Sequence, residues 1–180
     1  MKSFHVKNIS GSTRSITTVT PSIMSKKKKW NILRRPDSGL SCREFYIRSF
    51  TWGLPVNVGG AACALAMLAT GHKPDRFGQC VHFSVGEKWG GGSLGIFLFT
   101  CKDASRRLLE HEHGHSIQNC YYGPFMPFLV NLPSSSRYWY RRAVQRFFPE
   151  KILPPYDSIW FEAEASKLGH EYMNEKYPLR

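Results

Sequence analysis

"LLEHEHGHSIQN", Leu108 to Asn119, crowds three histidines and two glutamates between Leu109 and Ser116. Such crowding among apolar neighbours has two readings: a solvated, charged helix face, or ligands gathered for a metal. The spacing separates them. His111 and His115 stand four apart, so on a helix their rings lie on one face, one turn from each other. Both can then bind a single tetrahedral Zn²⁺. Together with Glu112 they form the pattern H-E-x-x-H. Glu112 lies about 100° round the helix, where its carboxylate can reach a water beside the metal and act as general base. His113 points to roughly the opposite face and is a bystander. Gly114 costs a helix about 1 kcal/mol relative to Ala, a cost easier to understand where another backbone packs closely.

A catalytic zinc site needs a third protein ligand and an open fourth position. One arrangement, H-E-x-x-H-x-x-G-x-x-H, requires Gly and His at 118 and 121, and the chain has Gln118 and Tyr121. A second arrangement takes a Glu from a later helix. "WFEAEASKLG" offers Glu162, with Ser166 four residues on, and Glu164 as the alternative. Glu162, Ala165, Ser166 and Gly169 share a helix face, and the small residues would let this helix press against the His helix. Glu164 faces elsewhere, toward solvent or a basic neighbour, so Glu162 is the expected ligand. A rival closed set, Cys101, His111, His115 and Cys120, would leave Glu112 and Glu162 without roles.

On these two pieces, His111–His115 and Glu162–Ser166, the chain resembles membrane-associated zinc metallopeptidases of the gluzincin type. The resemblance implies a zincin-like domain, Zn²⁺ held by His111, His115 and Glu162, Glu112 as catalytic base, and a peptide or protein substrate. In such enzymes an Asp after the Glu ligand often orients the first His, and Ser166 occupies that place here. An additional oxyanion donor is usual, with Tyr121, Tyr122, Tyr156 and His170 as candidates. The phrases "HGHSIQNCYYGPFMPF" and "YDSIWFEAEASKLG" also resemble a group of small bacterial membrane proteins, which brings no activity with it.

The remainder of the chain sets the context. Its 180 residues suffice for one domain with a core, and 25 Lys and Arg against 13 acids give +12. Much of that excess is N-terminal: residues 1–36 hold no acid, and Lys26 to Lys29 form a run. No nucleic-acid-binding consensus occurs, and a nucleic-acid partner is not expected. The cysteines, 42, 63, 80, 101 and 120, are odd in number and widely spaced, which predicts mostly free, buried thiols. From Phe50 to Gly71 no residue is charged, a length that suits a membrane helix. Eight Lys or Arg lie between Met24 and Ser49 but three between His72 and Gly90. By the positive-inside rule a span here would leave the N-terminus in the cytoplasm.

Cys80 to Thr100 reads as two short strands about the Gly90-Gly91-Gly92 break, with Leu94–Thr100 buried on both faces. Tyr121 to Pro133 reads as an interfacial or buried loop. "RYWYRRAVQRFF", Arg137 to Phe148, reads as a helix whose arginines and aromatics suit an anionic lipid surface. Asp157 or Ser158 would cap a last helix reaching Lys176. The expected fold is α+β: one N-terminal membrane helix, then a small domain with a short β-hairpin and three helices. Residues 1–48 would be a disordered basic tail, 49–72 a single-pass transmembrane helix contacting lipid, and 73–180 the metallopeptidase-like domain.

Overall fold

The computed structural model describes residues 36–178 apart from Lys88. The fold is α+β, with five α-helices and one four-stranded mixed sheet. The stretch before residue 36, with the four-lysine run and most of the expected disordered tail, lies outside the described residues.

Helix α1 spans Cys42–Phe50. Ser41 caps it reciprocally with Glu44: the Glu44 amide donates to Ser41 Oγ at 3.2 Å, and the Ser41 amide donates to Glu44 Oε2 at 3.0 Å, closing two otherwise orphaned donors. Leu40 and Phe45 are fully buried. The end of the expected tail therefore contributes Leu40 and Phe45 to the core.

Helix α2 spans Leu54–Ala69 and starts with Pro55 in its first turn, where its missing N–H costs nothing. The stretch 49–72, expected as one span, is not one helix: α1 and α2 meet at a bend of 89°, and only as that bent pair do they have the length and composition of a candidate span. Among the described residues no single helix is long and apolar enough to cross a membrane. At 1.5 Å per residue, α2 reaches about 24 Å, short of the roughly 30 Å hydrocarbon core. The bend is held by the buried Asn57. Its Nδ2 donates to Ser49 O at 2.6 Å and Gly53 O at 3.3 Å, and its Oδ1 accepts from the Ile96 amide at 2.8 Å.

Strands β1 (Pro74–Phe77), β2 (Cys80–Ser84), β3 (Gly91–Leu94) and β4 (Phe97–Thr100) stand in the order β1-β2-β4-β3. The expected hairpin between the 80s and 90s does not form. β2 pairs with β4 in parallel, Val81 opposite Phe97 and Ser84 opposite Thr100. The reason is the extra strand between them. After β2 the chain crosses to the far edge, forms β3 from the glycines read as a break, and turns back at Gly95 (φ +66°). β4 then lands inside the sheet, pointing the same way as β2. β1, which the sequence reading missed, pairs antiparallel with β2 through the Gly78 turn.

Helix α3 spans Arg106–Tyr122 and is capped by Ser105 Oγ, which accepts from the Leu108 amide at 3.3 Å. Most of its residues from Glu110 to Tyr121 are buried. The expected loop at 121–133 is helical instead, a 3₁₀ turn (Gly123–Phe125) and a π-helical turn (Pro127–Asn131) leading into α4, Leu132–Phe147. α5 spans Trp160–Lys176, its start preceded by a 3₁₀ turn at Tyr156–Ser158 rather than capped by either.

Candidate metal centre

α3 and α5 touch along a seam of small residues. A Cβ on Gly114 would fall 1.9 Å from Ala165 O, and one on Gly169 would fall 1.7 Å from Glu110 O. Real Cβ atoms cannot occupy those places, so glycine is required at both positions. The backbone contact brings the first turn of α5 against the middle of α3.

Three side chains then converge. Glu162 Oε2 lies 3.0 Å from His111 Nε2 and 3.3 Å from His115 Nε2, and the two Nε2 atoms are 3.2 Å apart. Donors bonded to one tetrahedral ion at 2.0–2.1 Å would lie about 3.3–3.4 Å from each other. The triad's separations of 3.0–3.3 Å come close to that, and it could hold a metal ion. Glu162 is fully buried, while His115 is buried and His111 partly so.

The outer nitrogens strengthen this. His115 Nδ1 is 2.7 Å from Gln118 Oε1. The Gln118 amide orientation is fixed by its Nε2, which donates to Phe161 O at 2.9 Å and Glu164 Oε2 at 2.8 Å. His115 must therefore donate from Nδ1, which leaves a lone pair on Nε2 facing the triad. His111 Nδ1 is 2.9 Å from Ser166 Oγ, which can accept in the same way. With both imidazoles neutral, two lone pairs and a carboxylate oxygen meet with no proton between them, an arrangement that either a cation or a proton on an Nε2 relieves. Glu162 Oε1 makes no hydrogen bond, although the Ser134 and Tyr156 hydroxyls act on the carboxylate.

Burial alone would raise the Glu162 carboxyl, but the hydrogen bonds of His111 and His115 outweigh it and hold it well below the usual carboxylate range. Burial likewise works against a charged His115, yet Glu162 and Glu112 together raise its pKa. Glu112 lies in the same recess with Oε2 buried and unpartnered. Burial pushes its carboxyl up, with His115 and His111 opposing. Its room is provided by β3: a Cβ on Gly91 would sit 2.8 Å from Glu112 Oε1. The glycines that broke the sequence pattern leave space for this carboxylate.

Of the four candidate oxyanion donors, Tyr156 lies beside the triad, its ring 6.3 Å from that of His111. Burial raises its phenol, and the Glu162 and Glu112 charges add to that. Tyr121 donates to Asp37 O, Tyr122 donates to Glu164, and His170 faces Glu110. Glu164 is half-buried and has no basic partner in these bonds; it accepts from Gln118 and Tyr122. Gln118 was missed as a functional residue, and its one local signal is a place three residues after His115.

His113 is fully buried, stacked on Phe45 at 5.8 Å and close to Tyr172 at 5.1 Å. Burial lowers its pKa to about 4, so it is a neutral core residue. The closed Cys₂His₂ arrangement is excluded by position. Cys120 points into the core, toward Ser49 Oγ, Phe45 O and Ser116 O, where burial pushes its thiol up to about 12. Among the described residues, the group that could hold a metal contains neither Cys101 nor Cys120.

A cavity of about 480 Å³ opens over His111, Glu112 and His115. β3 forms one wall, and as the last strand in the order it has an edge not paired to another strand. No protein-family model, no curated protein and no solved structure matches the chain.

Proposed function

We propose that the protein is a membrane-associated zinc metallopeptidase. The observation that carries this reading is the tetrahedral spacing of two imidazole nitrogens and a buried carboxylate oxygen, with Glu112 unpaired in the adjoining recess. His111, His115 and Glu162 would hold Zn²⁺. A nitrogen-rich set with one carboxylate and an open side suits catalytic zinc. When bound, such an ion lowers the pKa of a water to about 7 and polarises a carbonyl.

The protein's own groups supply the remainder. Ser166 and Gln118 fix the imidazoles so that each Nε2 faces inward. Glu112, its carboxyl raised by burial, would take the proton of the attacking water and pass it to the leaving amine. Tyr156 would donate its phenolic proton to the carbonyl oxygen as charge develops there. The free edge of β3 offers backbone groups to an extended peptide. The stretch 94–100, expected as one strand, splits: Phe97–Thr100 is internal to the sheet, and Leu94 ends β3.

Metal analysis and peptide hydrolysis by the purified full chain test the reading. The expected result is about one zinc per chain in wild type, with loss in His115→Ala and Glu162→Gln. Glu112→Gln should keep zinc and lose hydrolysis by about a hundredfold or more. Full zinc in His115→Ala would overturn the site. Wild type that holds zinc but cleaves no peptide would leave a metal site without peptidase function.

A further inference from the structure

The cavity above the triad has two helical walls that resemble each other in one respect. On one side are Cys63 and Met67 of α2, and on the other Tyr138 and Trp139 of α4. α2 has no charged residue, and α4 has four arginines and no acid. Neither wall carries a carboxylate.

Both helices also leave their outer faces bare. On α2, Leu54, Val58, Leu65 and Leu68 are exposed, Leu65 to 67%. Next to α4, Phe128 is 69% exposed, and along α4 itself Leu132, Trp139 and Phe147 stand exposed at positions that share one helix face. Buried against water, such side chains would contribute about 1.5–3 kcal/mol each, so leaving this many in solvent calls for an occupant. Arg142 and Arg146 are exposed on the same helix. Aromatics and arginines beside an uncharged face are the composition that seats a protein at an anionic lipid surface.

We propose that the faces of α2 and α4 sit in the interfacial layer of an anionic membrane, and that the cleft between them admits a peptide whose residues around the scissile bond are apolar and membrane-seated. The substrate class rests on the metallopeptidase reading, whereas the seating does not. The cleft walls and the apolar outer faces belong to the same two helices, so a segment lying in the interface reaches the triad past uncharged groups, Asn131, Ser134 and Ser135 being the polar ones at the α4 side. α2 contributes its inner side through Val56, Gly60 and Ala64, which leaves the outer side for lipid.

Two native thiols allow a test on the full chain. Cys63 lies on the cleft wall and Cys42 on α1, and both are exposed. A fluorophore placed on Leu65→Cys in a Cys42→Ser, Cys63→Ser, Cys101→Ser protein should brighten with phosphatidylcholine–phosphatidylglycerol vesicles. Nitroxide-bearing lipid should quench it. The same dye on Cys42, with Cys63→Ser, should stay open to aqueous iodide. Leu65→Asp and Leu68→Asp should each cut vesicle partition by about tenfold or more while keeping zinc. In the Glu112→Gln protein, a Leu/Ala peptide in vesicles should slow maleimide attack on Cys63, and a Ser/Gly peptide of equal length should not.

A Leu65→Cys probe that stays in water, unchanged partition in both aspartate variants, or equal protection by the two peptides would overturn the proposal. Zinc content of the same samples keeps the two readings apart. Lipid-seated protein without zinc refutes the metallopeptidase and leaves the seating, and zinc-bearing protein that ignores vesicles does the reverse.

Discussion

α5 and α2 make contact by the same device and do opposite things with it. Each sets a glycine on a carbonyl oxygen of its neighbour: Gly169 on Glu110 O, and Gly60 on Leu94 O, where an added Cβ would fall 2.2 Å away. Close approach lets α5 carry Glu162 and Ser166 into the interior beside α3, where buried polar atoms must find partners. Close approach lets α2 lay a nearly featureless helix along the sheet, with Asn57 its single polar tie inward. Small residues thus bring backbones together but do not determine what is delivered. The neighbouring face does that, and it is charged in one helix and bare in the other.

The largest effect is expected where that contact is tightest. Gly169→Ala would put a methyl 1.7 Å from a backbone oxygen, which no side-chain rotation relieves. The helices must part, at a cost of about 3 kcal/mol or more. Glu162 rides on the same helix, so zinc binding should fall with stability. Urea denaturation and zinc titration on one preparation check the pairing. Wild-type zinc affinity in the variant would show that the seam does not set the site.

How far these regions could be read from sequence follows from how local their chemistry is. His111 with His115, and Glu162 with Ser166, are both pairs four apart within one helix, so periodicity alone puts each on a face. The small residues beside Glu162 and the cost of Gly114 point to a close helix partner, and Ala165 O and Gly114 meet there. Gln118 was not legible, because its meaning lies in Phe161 O and Glu164, more than forty residues away in the chain. The uncharged stretch from Phe50 to Gly71 shows composition but hides its bend. That bend is held by Asn57, which ties Ser49 O to the distant Ile96 amide, and Gly53 packs there against Asn119, where a Cβ would fall 2.4 Å from Nδ2. Strand periodicity was visible in Val81–Val85, but which strand pairs with it depends on chain crossing that no local pattern encodes. β1, "PDRF", begins with residues that disfavour strands and is formed by its pairing with β2.

A middle-sized effect tests the polar side of the contrast. Gln118→Leu keeps the volume roughly and removes the acceptor that fixes His115. Zinc affinity should drop by about ten- to a hundredfold, with the fold retained by circular dichroism. Glu164 then loses one of its two donors, and Tyr122 still holds it. Competition with a chelator of known affinity measures the change. An affinity equal to wild type would mean that helix packing alone orients the ring, and the seam would matter through sterics rather than hydrogen bonding.

The smallest effect belongs to the bare helix and sharpens the comparison most. Gly59 and Gly60 are adjacent on α2, yet a Cβ on Gly59 meets nothing within 4 Å while one on Gly60 strikes Leu94 O. Gly59→Ala should therefore stabilise the chain by about 0.5–1 kcal/mol, since alanine restricts the unfolded state and fits the helix. Gly60→Ala should destabilise it. The sign change between neighbours, read from urea midpoints, separates the face pressed on the sheet from the face left open. If Gly59→Ala also destabilises, its side of α2 is pressed against protein rather than open, and the contrast between a packed and a bare helix fails at its weakest point.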